Sequence, residues 1–175
     1  MPFMQKLKSN LYLIGFMGTG KTSVGKSLAE MLSAEFLDMD VVIETREKAT
    51  ISEIFATHGE AYFRKTETEL LTELSARSGL VVATGGGVAL LEENVALMHQ
   101  SGPCFLLQAS AETICVRLAE DTSRPLLQGA DKYQKIEKIL TKRAKFYQDA
   151  ADFIIDTDAK KVDEIVLEIL KAQKF

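Results

Sequence analysis

The chain has 175 residues, 46% of them hydrophobic, which suits a single domain spanning 1–175 around one sizeable core. Lys and Arg number 21 against 25 Asp and Glu, a net charge of −4, so nothing electrostatic favours nucleic acid, and any anionic ligand must meet a local cationic site. No apolar run approaches the roughly 20 residues of a membrane span, Met1–Asn10 is too polar and short for a secretion signal, and Cys104 and Cys115 sit in apolar stretches without metal-ligand spacing. The expectation is a cytoplasmic chain with reduced core thiols and no membrane partner.

Short apolar runs rich in β-branched residues read as strands at Leu11–Gly15, Glu35–Asp38, Leu80–Ala83, Pro103–Gln108 and Asp152–Asp156. Helix-patterned segments cover Lys21–Ser33, Val41–Arg46, Ile51–Ser78, Glu92–Ser101, Ala111–Glu120, Lys132–Gln148 and Val162–Ala172, with Gly79, Gly102 and Gly129 where helices stop or turn. The alternation predicts an α/β fold, a parallel sheet covered by helices on both faces. Asp121–Asp131 differs in texture: DTSRPLLQGAD places Pro, Gly and a lone Arg between two helices and reads as an exposed, mobile loop. There is no internal repeat, low-complexity tract or linker.

The first strand leads into Gly15-Phe-Met-Gly18-Thr-Gly20-Lys21-Thr22, the GxxxxGK(S/T) pattern between a strand and a helix. Glycines there let backbone N–H groups turn toward a phosphate, and the helix beginning near Lys21 points its positive end at the same place. Lys21 reaches the β and γ oxygens of a nucleotide, and the Thr22 hydroxyl suits Mg²⁺, which takes oxygen ligands. A phosphate cradle alone leaves the acceptor undefined, because GTPases, ATPases and kinases share it.

Further motifs narrow that choice. Phe36-Leu37-Asp38-Met39-Asp40 ends the second strand, Phe63-Arg64 with Glu67 lies on a helix, Thr84-Gly85-Gly86-Gly87 ends the third strand, and Ser123-Arg124-Pro125-Leu126-Leu127 lies in the loop. With the P-loop and a late Arg143 and Tyr147, this resembles the shikimate kinase family over nearly the whole chain. The resemblance implies a nucleoside-monophosphate-kinase-like fold with strand order 2-3-1-4-5, ATP and Mg²⁺, shikimate as acceptor phosphorylated at its 3-hydroxyl, and a place in aromatic amino acid biosynthesis. A monomer is expected, with acceptor-binding helices over about 41–78 and a lid over about 121–131.

The same resemblance distributes roles. Gly18, Thr19, Gly20, Lys21, Thr22 and Ser23 hold the nucleotide, Arg117 stacks on adenine, and Asp158 belongs to the segment lining that pocket. Thr22 and Asp38 serve the metal. Asp40 meets the acceptor hydroxyl as base or orienter, Arg64 and Arg143 fork the acceptor carboxylate, Glu67 holds Arg64, and Gly85, Gly86 and Gly87 bring backbone close to the acceptor. Lys21, Asp40 and Arg124 carry catalysis, Arg124 by closing over ATP. Local sequence leaves plainer readings open. Asp38 and Asp40 share one side of a strand end, or are a helix N-cap and a solvated charge; Arg64 and Glu67 fit an i, i+3 surface pair; Phe63 fits core or pocket wall. His58 and His99 lie apart from any carboxylate or Cys pattern and receive no role. Two other functions stay open: another small-molecule kinase of this fold, gluconate kinase for example, and a nucleotide-gated binding module.

Overall fold

The sheet is built on its two middle strands, Leu11-Tyr12-Leu13-Ile14 (β1) and Leu80-Val81-Val82-Ala83 (β3), whose residues are all buried. In the computed structural model, which describes residues 7–120 and 131–174, five strands and seven helices alternate. They run β1 (Leu11–Ile14), α1 (Lys21–Leu32), β2 (Glu35–Asp38), α2 (Met39–Glu47), α3 (Ile51–Ser75), β3 (Leu80–Ala83), α4 (Glu92–Ser101), β4 (Cys104–Gln108), α5 (Ala111–Arg117), α6 (Lys132–Ala150), β5 (Phe153–Asp156) and α7 (Val162–Gln173). Every pairing is parallel, and the order is β2-β3-β1-β4-β5, as the resemblance implied.

Strand periodicity divides the core in two. Tyr12, Ile14, Val82, Cys104 and Leu106 face α2 to α6, meeting Met39, Ile43, Leu70, Met98, Ile114 and Ile136. Leu11, Leu13, Val81, Phe105 and Leu107 face the other way, onto Val24 and Leu28 of α1 and Ile165, Val166 and Ile169 of α7. Because all strands are parallel, their C-terminal ends share one edge, and the loops after β1, β2 and β3 open there together.

Two helices differ from expectation. The segment expected to be helical over Ile51–Ser78 stops at Ser75 and is broken at Gly59, whose φ of 82° and ψ of 171° lie outside the helical range. Its start is fixed by a capping box in which Thr50 and Glu53 each bond the other's backbone N–H. Helix α5 ends at Arg117, three residues earlier than its pattern suggests. Among the described residues no helix is long and apolar enough to cross a membrane.

Asn10, buried just before β1, ties the far edge of the sheet together. Its Nδ2 donates to Leu74 O (2.9 Å), which also accepts the Arg77 N–H (3.1 Å), and to Arg77 O (3.0 Å) just past the end of α3, and its Oδ1 accepts the Leu80 N–H (3.1 Å) that opens β3. Asn10→Ala removes these bonds and leaves the buried Leu80 N–H without its acceptor, so it should lower the unfolding free energy by about 1–3 kcal/mol, read as a shift in the urea midpoint. A midpoint unchanged from wild type would contradict the bracing role.

Candidate active site

At the shared edge, the loop from β1 to α1 is shaped by Gly20, whose φ of 96° is left-handed backbone that glycine adopts at little cost, directly before the first helical residue. Thr19 turns inward and donates its hydroxyl to Phe16 O at 2.8 Å, bracing the loop from within. Lys21 is 8% exposed, and its ammonium donates to the carbonyls of Gly15 and Phe16 at 2.8 Å each. Thr22 and Ser23 follow on the exposed first turn, and Thr22 Oγ1 donates to Asp38 Oδ2 at 2.6 Å.

Asp38 and Asp40 reach the cleft by a different route from the strand alternation expected of them. Strand β2 ends at Asp38, which caps α2: its Oδ1 accepts the backbone N–H of Asp40 (3.1 Å) and of Val41 (3.4 Å). Asp40 already lies in the first turn of that helix, where a carboxylate is favoured by the helix dipole. An N-cap needs an oxygen with local geometry to bond N2 and N3, and that demand makes Asp38, the expected last residue of the strand, the start of the helix that carries Asp40. Both aspartates still line one cleft of about 650 Å³ with Lys21, Thr22, Ser23, Arg64, Glu67, Gly86, Gly87 and Arg143.

Across this cleft from the cradle, Arg64 on α3 is held by two carboxylates of its own helix. Nη1 donates to Glu67 Oε2 at 2.6 Å, and Nε and Nη2 donate to Glu60 Oε1 at 3.3 and 3.1 Å. The i, i+3 pair is no surface pair: the Glu67 side chain is 1% exposed and that of Arg64 19%. Glycine makes this burial feasible. A Cβ on Gly87 would collide with the Arg64 guanidinium, and one on Gly85 would collide with Glu67 Oε1 and lie 3.0 Å from Asp40 Oδ1. Gly86 contributes its carbonyl, which accepts from Tyr147 Oη at 2.6 Å and from Arg143 Nη1 at 3.5 Å, while the Arg143 guanidinium lies 5.9 Å from the Phe16 ring centre. Phe63 serves both of its open readings, buried at 4% exposure yet lining the cleft.

Burial raises the Glu67 carboxyl to about 7; Arg64 and Arg143 oppose the shift and Asp40 adds to it. Burial also works against the charge of Arg64, but Glu67 and Glu60 outweigh it and leave the guanidinium above its ordinary value.

Arg117 and Asp158 stand at the opposite end of the edge. Arg117 donates to Gly18 O (3.2 Å), Thr157 Oγ1 (3.1 Å) and Thr157 O (3.0 Å), pinning the cradle to the segment after β5. Asp158 accepts the Ser110 N–H through both oxygens, at 3.0 and 3.1 Å. Together with Thr19 it lines a separate cavity of about 300 Å³ between β4, β5 and α6. Arg124, and the expected lid over about 121–131 apart from its last residue Asp131, lie outside the described residues.

Some neighbours of the cleft carry no sequence signal. Val41, Glu44, Ser52 and Phe55 line it from α2 and the start of α3, placed there only by tertiary packing. Elsewhere the fold gathers His99, Cys104 and Asp152, their donor atoms all within 4.8 Å, which sequence spacing had not suggested. These groups are engaged structurally: His99 Nε2 lies 2.9 Å from Ala150 O, and Asp152 Oδ2 accepts the Cys104 N–H at 2.8 Å. Burial, with Asp152 beside it, pushes the Cys104 thiol up to about 12, so it stays a protonated core thiol.

A glycine-shaped phosphate cradle at the C-terminal edge of a 2-3-1-4-5 parallel sheet, facing half-buried cations across one cleft, defines a P-loop phosphotransferase of the nucleoside-monophosphate-kinase type. The shikimate kinase family model matches residues 17–174, and the chain belongs to that family. A curated shikimate kinase from Thermodesulfovibrio yellowstonii is 44% identical over 93% of this chain and 93% of its own. The structure of shikimate kinase from Acinetobacter baumannii in complex with shikimate superposes with a TM-score of 0.93 at 39% identity, over 97% of this chain and 94% of that one. A gluconokinase from Sinorhizobium meliloti, at 15% identity and a TM-score of 0.60 over 97% and 94% of the two chains, shares the fold alone.

The raised Glu67 carboxyl makes stability depend on pH. Folding holds its proton more tightly than the unfolded chain does, where it titrates near 4.5, so its contribution is complete below that value and is lost as the pH rises through about 7. Glu67→Gln cannot ionise. Between about pH 5 and about pH 8 the Tm of wild type should fall relative to the variant by on the order of 5 °C. Parallel Tm profiles would contradict a buried titration at this position.

Proposed function

We propose that the chain transfers the γ-phosphoryl group of ATP to the 3-hydroxyl of shikimate, giving shikimate 3-phosphate and ADP, within aromatic amino acid biosynthesis. The observation that carries this reading is the single cleft whose one wall is the phosphate cradle with Lys21 and whose other wall holds Arg64, Arg143 and Asp40. Shikimate is a small ring with one carboxylate and three hydroxyls, and a guanidinium fork suits that carboxylate better than an ammonium does. The neighbouring structure solved with shikimate supports the choice of acceptor.

The backbone N–H groups of Gly18 to Ser23 and the positive end of α1 receive the phosphates, with Lys21 moving from its carbonyls to the β and γ oxygens. The side chain of Thr19 serves that loop from inside, so its own contribution to the nucleotide is backbone. Thr22 and Asp38, a hydroxyl and a carboxylate whose oxygens lie 2.6 Å apart, are the hard donors that suit Mg²⁺. When bound, the ion neutralises charge on the β- and γ-phosphates. Arg117 and the Asp158 segment flank the adenine. Arg64 spends three of its N–H groups on Glu60 and Glu67, which leaves one on each terminal nitrogen for the acceptor carboxylate, and Arg143 supplies the second cation. Asp40 orients the hydroxyl to be phosphorylated; because the transfer is loose, orientation matters more than basicity. Arg124 is assigned its charge-stabilising role by resemblance.

An ADP-release assay with shikimate, with gluconate and with no acceptor tests the reading. Turnover should require shikimate, and Lys21→Ala should lower kcat at least ~100-fold, about 2.7 kcal/mol of transition-state stabilisation, with folding intact. Equal turnover with gluconate would move the chain to another acceptor, and ATP hydrolysis indifferent to shikimate would favour a nucleotide-gated binding module.

A further inference from the structure

Glu67 has one oxygen too many for its partners. Oε2 is bonded to Arg64, but Oε1, in a side chain 1% exposed, has no hydrogen-bond partner among the described residues. It faces the space over Gly85 that Asp40 Oδ1 also faces, and both residues line the cleft. The charged and titratable groups around it are Arg64 on its own helix, with Glu60 behind that guanidinium, Asp40 on α2, and Arg143 and Tyr147 on α6. Two guanidiniums therefore support two inward carboxylates, with Glu60 at the exposed rim. An ionised carboxylate oxygen kept dry without a donor is costly, whereas a protonated one becomes a donor itself.

We propose that binding of the acceptor's carboxylate to Arg64 and Arg143 is coupled to uptake of a proton by Glu67, so that Glu67 is neutral in the loaded site. This rests on the function proposed above. A third carboxylate entering the pocket draws on the same two positive charges that keep Glu67 ionised, and removal of water by the ring strengthens every charge interaction there. The proton comes from solvent and adds to Oε1; no other bond forms or breaks. The new O–H faces the Asp40 side, where it removes a repulsion between two carboxylates. Burial already brings the Glu67 carboxyl to about 7, so near-neutral conditions are where this proton is exchanged. Glu67 is thus a positioning residue whose charge state follows occupancy.

Calorimetric titration of shikimate into the protein at about pH 7.5, in buffers of different ionisation enthalpy, reads the proton number directly. Wild type should take up as much as about one proton per shikimate, and its Kd should weaken by up to ~10-fold per pH unit above about 7. Glu67→Gln should bind with near-zero uptake and a Kd flat over the same range. Where that variant fails to fold, the methyl ester of shikimate provides the contrast in wild type, because a neutral ligand should bind without uptake. Shikimate binding with no proton taken up, uptake retained in Glu67→Gln, or equal uptake with the ester would each overturn the coupling and leave the proposed function standing. Failure of shikimate to bind at all would overturn the proposed function and this coupling with it.

Discussion

Arg64 and Glu67 can lie buried against each other only because the backbone that covers them, Gly85 and Gly87, carries no side chains. A charge pair taken out of water has little net stabilising value, but removing one partner leaves an uncompensated charge that costs roughly 3–5 kcal/mol. The glycine run after β3 and the acid on α3 are therefore one device. It fixes the guanidinium over the cleft, brings Asp40 of α2 against the same glycine, and connects through the carbonyl of Gly86 to Tyr147 and Arg143 on α6. Side chains from three helices take their positions from a stretch of bare backbone.

The phosphate half is built on another principle. There the groups proposed to bind are backbone N–H and a helix end, and side chains hold the loop in shape: Thr19 from inside, Arg117 from the β5 side. Strand order joins the two halves. With β1 beside β3, the loops that follow them are neighbours, and a Cβ on Gly86 would lie 3.6 Å from Met17 N and 3.8 Å from Gly15 O of the cradle. Phosphoryl transfer needs donor and acceptor held close and in line more than it needs strong acid or base, and adjacency of these loops is what a parallel sheet supplies at its C-terminal edge.

Much of this was legible in the chain because it is local. Apolar runs located all five strands, and the cradle was recognisable from glycine spacing between a strand and a helix. Strand order came only through the family resemblance, since periodicity does not say which strands are neighbours. What stayed hidden depended on tertiary environment or on competing local geometry. Glu67 looks like half of a surface pair by spacing, and only packing against the glycine run makes it a buried acid. Asp38 is both strand end and helix cap, because two N–H groups of α2 need an acceptor, and the helix rather than the strand then carries Asp40. Gly59 inside a helical pattern gave no sign of the break it makes, and His99, Cys104 and Asp152 are brought together by pairing of β4 with β5 and the end of α4.

The central claim is that Arg64, held by Glu67, grips the acceptor's carboxylate, and a cycle that varies enzyme and substrate together measures it most directly. Kinetics of wild type and Arg64→Ala are compared on shikimate and on its methyl ester, which keeps the hydroxyls and loses the charge. A charge-assisted fork is worth roughly 1.5–3 kcal/mol, so either change alone should lower kcat/KM on the order of 10- to 150-fold. Both changes together should cost little more than one. Losses that multiply in full would mean that Arg64 and the carboxylate do not meet, and that the buried pair serves only the fold.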